Sequence, residues 1–156
     1  MDRRGRVSRA LPLLGVLIAA VLGSQWLEPE RLAPAPRPVA SAAPAAADRV
    51  LGQAFSQGRS GEQVRGAGVV VTLLPDDREG SRHQRFILRL QSGQTLLVAH
   101  NIDLAPRIPA LAAGDTVAFN GVYEWNRQGG VIHWTHHDPA GRHEPGWLQH
   151  EGRFYR

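Results

Sequence analysis

The sequence predicts a mainly β fold for the C-terminal two thirds of the chain. Short segments carry apolar residues at every second position, as in Phe86, Leu88 and Leu90, with Arg85 and Arg89 on the opposite face. Glycine-, proline- and aspartate-rich turns separate these segments. The 108 residues from position 49 onward are enough to form one hydrophobic core. We therefore expect one small β domain with appended N-terminal segments.

The N-terminal segments predict export. Residues 1–27 place Arg3, Arg4, Arg6 and Arg9 before an apolar run at 11–23, which is typical of a signal peptide or an uncleaved signal anchor. Both interpretations leave the rest of the chain outside the cytoplasm, in the periplasm or anchored in the inner membrane and facing the periplasm. Residues 28–48 are rich in alanine and proline and predict a semi-rigid linker. Residues 49–156 form the predicted domain.

The domain is expected to open with a short helix that Asp48 caps and Gly58 ends. Five strands follow, at residues 64–74, 85–90, 95–100, 115–125 and 131–137. A tight turn at Ser92-Gly93 joins the second strand to the third, and residues 126–130 join the fourth to the fifth. Between the third and fourth strands, Pro106 and Pro109 limit residues 103–114 to a short helical segment.

Three strands, a short helical segment and two more strands are the chain order of a five-stranded OB-like Greek-key barrel. Such a barrel binds ligands on the face of strands 2 and 3 and with the loops that join strands 1–2 and 4–5. We therefore expect residues 75–82 and 126–130 to flank the ligand face. Other small β-barrels and β-sandwiches show similar periodicity.

Composition excludes several kinds of site. The formal net charge is +4, but residues 49–156 contain 12 arginines against 10 acidic residues, which is too balanced for a phosphate-binding stripe. The chain has no cysteine, so disulfides, thiolate zinc sites and cysteine nucleophiles are excluded. Any metal ion must be held by histidine, carboxylate or carbonyl groups.

Residues 129–139 concentrate three of the seven histidines in one short β-like segment and mark the expected working surface. Imidazoles with a carboxylate suit a divalent metal such as zinc. On a straight strand His133 and His137 share a face but stand about 13 Å apart, so a chelate needs a ligand from another segment or a bend. The candidate metal ligands are His83, His100, His133, His136, His137 and Asp138. Each of these histidines also has an ordinary structural interpretation, as an imidazole that locks a loop.

A ligand-binding groove is the leading interpretation. The two loops offer Arg78, Arg82 and Arg127, with Trp125 and Trp134 nearby. Aromatics beside guanidiniums bind single-stranded nucleic acid, and similar surfaces bind sugars. An exported protein favours a glycan or peptide over nucleic acid. Phe119, Tyr123 and Trp134 also suit the barrel interior. The expected groove residues are Asp76, Asp77, His83, Gln84, His100, Asn101, Asp103, Glu124, Trp125, His133, Trp134 and His136.

Two functions that use a site remain open from the residues alone, beside a purely structural envelope protein. The first is a binding or accessory module with a histidine-rich polar site, whose partner is an unidentified envelope ligand. The second is a metal-dependent hydrolase, including a nuclease, that uses the same histidines with Asp103, Glu124 or Asp138. No serine-nucleophile or HExxH motif supports the second, and no residue is assigned as catalytic.

Four blocks carry a resemblance to an uncharacterised bacterial family of exported proteins. They include His83-Gln-Arg-Phe86, His100-Asn-Ile-Asp-Leu-Ala-Pro-Arg-Ile108, Gly121-Val-Tyr-Glu-Trp-Asn126 and Gly129-Gly-Val-Ile-His-Trp-Thr-His-His-Asp-Pro139. The resemblance spans most of the domain. It implies an exported, single-domain protein and carries no established activity or ligand.

Overall fold

The computed structural model describes residues 42–156. The predicted signal segment, its hydrophobic helix and most of the predicted linker lie outside these residues. Within them, no helix is long and apolar enough to span a bilayer.

One helix, α1 (Ala42–Gln57), precedes the strands. Leu51 and Ala54 are fully buried one turn apart and attach the helix to the sheet. Gly58 ends it with φ +64°, and the N–H of Arg59 bonds the carbonyl of Ala54. The helix begins at Ala42, inside the predicted linker, and not at Asp48. Because Asp48 lies within the helix, it does not cap it, and its Oδ2 accepts the N–H of Ser92 at 2.7 Å.

The structure is mainly β, and the strands form one seven-stranded sheet in the order β1-β2-β3-β5-β4-β6-β7. The strands are β1 (Glu62–Asp77), β2 (His83–Arg89), β3 (Thr95–Asn101), β4 (Thr116–Glu124), β5 (Val131–His133), β6 (Trp147–His150) and β7 (Arg153–Tyr155).

Five of these strands close into a ring because β1 also pairs with β4. The first half of β1 is antiparallel to β4, from Glu62 opposite Tyr123 to Val69 opposite Thr116. Its second half is antiparallel to β2, with a register shift between Val70 and Thr72. β3 and β5 are parallel, while β2–β3 and β4–β5 are antiparallel. The long strand β1 thus closes the ring, because it pairs with β4 through its first half and with β2 through its second half.

The core fills the inside of this ring. Side chains alternate between buried and partly exposed along β2 and β3, as expected for strands with one face inward. The largest fully buried apolar residues are Tyr123, Phe86, Phe119, Leu51, Leu88, Leu96, Ile108, Ile132 and Leu148. The prediction that Phe119 and Tyr123 face inward is confirmed.

Two predicted elements are wrong. Residues 102–115 contain turns and loop but no helix. Side chains from β2 and β3 bond the backbone of this segment in place of helical hydrogen bonds. Gln84 exchanges two hydrogen bonds with Ile108, and His100 bonds the carbonyl of Pro106. The fifth strand ends at His133 and not at residue 137, since Trp134 takes φ +50° and turns the chain. The hairpin of β6 and β7 was not predicted.

Candidate functional site

A cavity of about 390 Å³ opens on the outer face of the ring, over β2, β3 and β5. It lies at the end where β2 begins and where the parallel strands β3 and β5 both finish. Its wall is formed by Ser81, His83, Ala99, Asn101, Leu104, His133, Trp134, His136, Arg142 and His143.

Strand register brings four of these residues to one place. His83 opens β2 directly opposite Asn101 at the end of β3. Val98 pairs with Ile132 across β3 and β5, so the next residues along, Ala99 and His133, lie side by side on the outer face. Residues distant in sequence therefore share one wall.

The segment after β5 closes the cavity. Asp138 is almost completely buried and organises it, since Oδ1 accepts the N–H of Ala140 at 2.9 Å and Oδ2 accepts the N–H of Arg142. These backbone donors, above all the N–H of Ala140, hold the pKa of Asp138 below its usual value. The carboxylate also lies 3.8 Å from Nε2 of His143. Asp138 therefore positions Arg142 and His143 at the rim.

Gly146 brings this segment back against the sheet. Its N–H bonds the carbonyl of His136 at 2.9 Å. A Cβ at this position would lie 1.9 Å from the carbonyl oxygen of Trp134 and 2.7 Å from that of Asn120. Only glycine fits between these two backbones.

Aromatic rings form the mouth of the cavity. Trp134 stacks on His143 with ring centroids 4.6 Å apart, and His133 lies 5.1 Å from Trp134. His136 meets His143 edge-on at 5.2 Å. Trp134 remains 42% exposed in spite of these contacts, so the idea that it fills the core is wrong. Its positive φ is a costly conformation for a bulky residue and is typical of functional positions.

His133 has an unmet hydrogen bond. Its Nε2 is buried and has no hydrogen-bond partner among the described residues. The nearest acid, Oε1 of Glu124, stands 3.7 Å away, beyond hydrogen-bonding distance. Burial is the main influence on this imidazole and lowers its pKa, with Glu124 opposing the shift. A neutral imidazole therefore forms part of the cavity wall, with its Nε2 turned toward Glu124.

His100 is structural. It is completely buried, with Nδ1 2.8 Å from Oγ1 of Thr135 and Nε2 3.1 Å from the carbonyl oxygen of Pro106. Burial lowers its pKa to about 4, so the ring is neutral at pH 7. Since a carbonyl only accepts, Nε2 carries the proton and Nδ1 accepts the Thr135 hydroxyl. Both ring nitrogens are satisfied, which leaves His100 no capacity for a ligand.

Several other predicted residues are engaged away from the cavity wall. Gln84 is buried and bonded to Ile108. Asp103 accepts the backbone and side-chain N–H groups of Arg82, and the backbone bond contributes most to its lowered pKa. The remaining members of this group are Asp76, which pairs with Arg107; Asp77, which accepts the N–H of Glu79; Glu124, which lies beside His133; and Trp125, whose indole donates to the carbonyl of Phe55.

The predicted metal ligands do not converge. Among residues 42–156, no three His, Asp or Glu side chains are grouped closely enough to hold a metal ion. His83, His133 and His136 line the cavity, but His100 is enclosed in the core, His137 is exposed outside the wall and Asp138 is engaged by backbone donors.

The cavity uses residues that sequence reasoning missed. The turn at 126–130 does not contribute to its wall, although it was expected to flank the ligand face; residues 134–143 take that place. Arg142 and His143 follow the Asp138-Pro139 turn, which is a local signal for a fixed loop. The turn motif does not indicate which part of the sheet this loop packs against. Ser81 belongs to the loop 75–82, which was expected at the ligand face, although Ser81 itself was not named as a site residue. The other missed wall residues are Ala99, Leu104, Arg142 and His143.

Fold and site together define a mainly β protein with an imidazole-lined surface pocket. The chain belongs to the family described as "Protein of unknown function (DUF3465)", whose model matches residues 36–156. The resemblance to an uncharacterised family is therefore confirmed. Neither the curated proteins nor the solved structures contain a significant match.

Proposed function

We propose that this protein is an exported binding or accessory module, built as an OB-like Greek-key barrel, whose imidazole-lined pocket receives a polar ligand from the cell envelope. The ring order β1-β2-β3-β5-β4, closed by β1–β4 pairing and with β3 parallel to β5, supports the barrel. The pocket lies on the outer face of strands 2 and 3, where OB folds bind their ligands.

One observation carries the binding proposal, namely the 390 Å³ cavity, whose wall brings Asn101, His133 and a half-exposed Trp134 together from separate segments. Polar and aromatic side chains that converge on one concave surface are typical of a ligand site. The cavity also falls in the size range of small-molecule sites, about 300–1,000 Å³.

The wall chemistry favours a glycan or peptide over nucleic acid. Trp134 presents a half-exposed ring on which a sugar ring or a planar side chain can stack. Asn101 and the imidazoles add hydrogen-bonding groups around it. The near-balanced charge of the domain gives no long-range attraction to a polyanion. No observation in residues 42–156 favours the metal-dependent hydrolase.

Two tryptophans offer a matched test, since Trp134 is 42% and Trp125 43% exposed but only Trp134 lines the cavity. Histidine ring signals of the full-length protein are followed by NMR during titration with soluble glycan and peptide fragments of the envelope. We expect saturable shifts at His133 and His143, lost in Trp134→Ala and kept in Trp125→Ala. Binding that both variants weaken equally, or fragments that shift no pocket histidine, would contradict the proposal.

The export proposal depends on residues 1–27 and has its own test. Fusing residues 1–48 to a reporter that is active only outside the cytoplasm is expected to give activity, and replacing Arg3, Arg4, Arg6 and Arg9 is expected to reduce it. Fractionation of the full-length protein then separates a released form from one that stays with the inner membrane. A reporter that stays inactive argues against export.

A further inference from the structure

The ionisable groups in the cavity wall are all of one kind. Five of the ten wall residues carry basic side chains, namely His83, His133, His136, Arg142 and His143, and no wall residue is an aspartate or glutamate. Within the described part of the chain, the surface that a ligand touches therefore carries the fixed positive charge of Arg142 and no carboxylate.

The neighbouring carboxylates do not cancel this asymmetry. The side chain of Asp138 is 2% exposed and lies under the wall, where it bonds the backbone N–H groups of Ala140 and Arg142. It lies 3.6 Å from Nε of Arg142, so it approaches the guanidinium from the protein side, while that side chain remains 79% exposed. Glu124 does not line the cavity. The guanidinium is thus held at its base and open at its tip.

We infer that the group this pocket recognises is an anionic oxygen group, such as a carboxylate, phosphate or sulfate, bound by the guanidinium of Arg142 beside a wall that carries no carboxylate. The inference rests on the proposed binding function and specifies its ligand class. A guanidinium offers paired N–H donors that match two oxygens of such a group. His133 and His143 report on the site as neighbours and not as donors, because Nδ1 of His143 bonds the carbonyl of Glu144 and Nε2 of His133 faces Glu124. The Trp134 ring then covers the less polar part of the ligand.

The arrangement explains the loop around Asp138. A buried carboxylate that fixes two backbone N–H groups and lies near two basic side chains aligns those side chains before the ligand arrives. Such preorganisation lowers the entropy cost of binding. An anion therefore meets an arginine whose backbone is already fixed, although its side chain remains exposed.

The test uses inorganic phosphate, sulfate and acetate as probes, so that phosphate, sulfate and carboxylate recognition are separated. The full-length protein is titrated at constant ionic strength while the ring signals of its histidines are followed by NMR. We expect at least one probe to bind saturably and to shift His133 and His143 without shifting His137, which is exposed outside the wall.

Arg127 provides the matched control, because it is exposed like Arg142 but lies in the turn at 126–130 away from the cavity. We expect Arg142→Gln to weaken the probe by tenfold or more and Arg127→Gln to leave it unchanged. His143→Asn removes the ring that stacks on Trp134, so we expect it to weaken the probe less than Arg142→Gln does. Thermal unfolding checks that each variant folds.

The outcomes separate this inference from the proposed function. Neutral fragments that bind and depend on Trp134, with no anion shifting the pocket histidines, would overturn the anion inference alone. Equal weakening by Arg142→Gln and Arg127→Gln would also overturn it, since that pattern is general charge attraction. If neither anions nor neutral fragments shift the pocket histidines, both the inference and the binding proposal fail.

Discussion

His100 and His133 lie on the neighbouring parallel strands β3 and β5, but their side chains have different surroundings. His100 points into the core and has both ring nitrogens bonded, to Thr135 and to the carbonyl of Pro106. His133 points outward and keeps a buried Nε2 with no partner among the described residues. The same side chain thus locks a loop in one place and lines a cavity in the other. Histidine content alone does not mark a site; the surface that each ring reaches does.

The largest expected effect on stability is at Gly146, which holds the segment that follows β5 against the sheet. That segment contains Thr135, which bonds His100, and Trp134, which lies beside His133. Gly146→Ala places a methyl group against the carbonyls of Trp134 and Asn120, so we expect a loss of unfolding free energy of about 3 kcal/mol or more. Urea unfolding measures it. Gly52→Ala is the control, since Gly52 is helical with nothing within 4 Å of an added Cβ, and a gain of up to about 1 kcal/mol is expected. Equal stability of the two variants would refute the packing argument.

His100→Ala against His133→Ala tests the comparison directly. Removing His100 leaves a cavity and unpaired groups at Thr135 and Pro106, so we expect a loss of about 3 kcal/mol. Removing His133, which makes no such bonds, is expected to cost less than about 1 kcal/mol. Thermal or urea unfolding of both variants decides it. Similar losses would mean that His133 is as structural as His100.

Acid is expected to lower the stability of the folded protein through His100. The pKa of His100 falls from 6.5 to about 4 in the folded protein. Between these values the unfolded chain binds more protons, so stability is fully present above pH 6.5 and declines as the pH falls toward 4, by up to roughly 3 kcal/mol. Burial of His133 acts in the same direction. We expect this decline to be smaller in His100→Gln, measured by urea unfolding across that pH range, and an unchanged slope would rule out His100 as its source.

The smallest expected effect on stability comes from replacing His133 itself with an apolar ring. His133→Phe replaces an unsatisfied buried nitrogen by carbon, so we expect unchanged stability or a gain of up to about 1 kcal/mol, together with loss of ligand binding. Calorimetry and the NMR titration measure the two quantities. A clear loss of stability would show that Nε2 has a partner in solution.

The sequence predicted the strands because alternation of apolar residues reports directly which side chains face the core. It placed all five ring strands, and Gly58 ended the helix as expected. It failed at residues 102–115 because Gln84, which is 24 residues from Ile108, bonds that backbone and holds it without a helix, and His100 adds a bond to Pro106. Local propensity carries no information on such long-range partners.

The site was predictable where its residues lie on or next to the predicted strands. His83, Asn101, His133, Trp134 and His136 were expected and do line the cavity. Arg142 and His143 were missed because a turn organised by Asp138 carries them there, and no periodicity describes that path. Trp125 was expected beside the ligand, but its indole bonds the end of α1. The sequence shows which side chains are available, while the long-range contacts decide which of them meet.

The dual pairing of β1 sets an order of events in folding. Its second half pairs with β2, which follows soon in the chain, whereas its first half must wait for β4, where Glu62 meets Tyr123. Local hairpins close faster than distant pairs, so ring closure is a late step with a high entropic cost. Until β4 arrives, the N-terminal half of β1 is an open edge that can pair with another chain. Newly made or partly unfolded chains are therefore most prone to self-association through residues 62–69, and dilution should improve refolding yield.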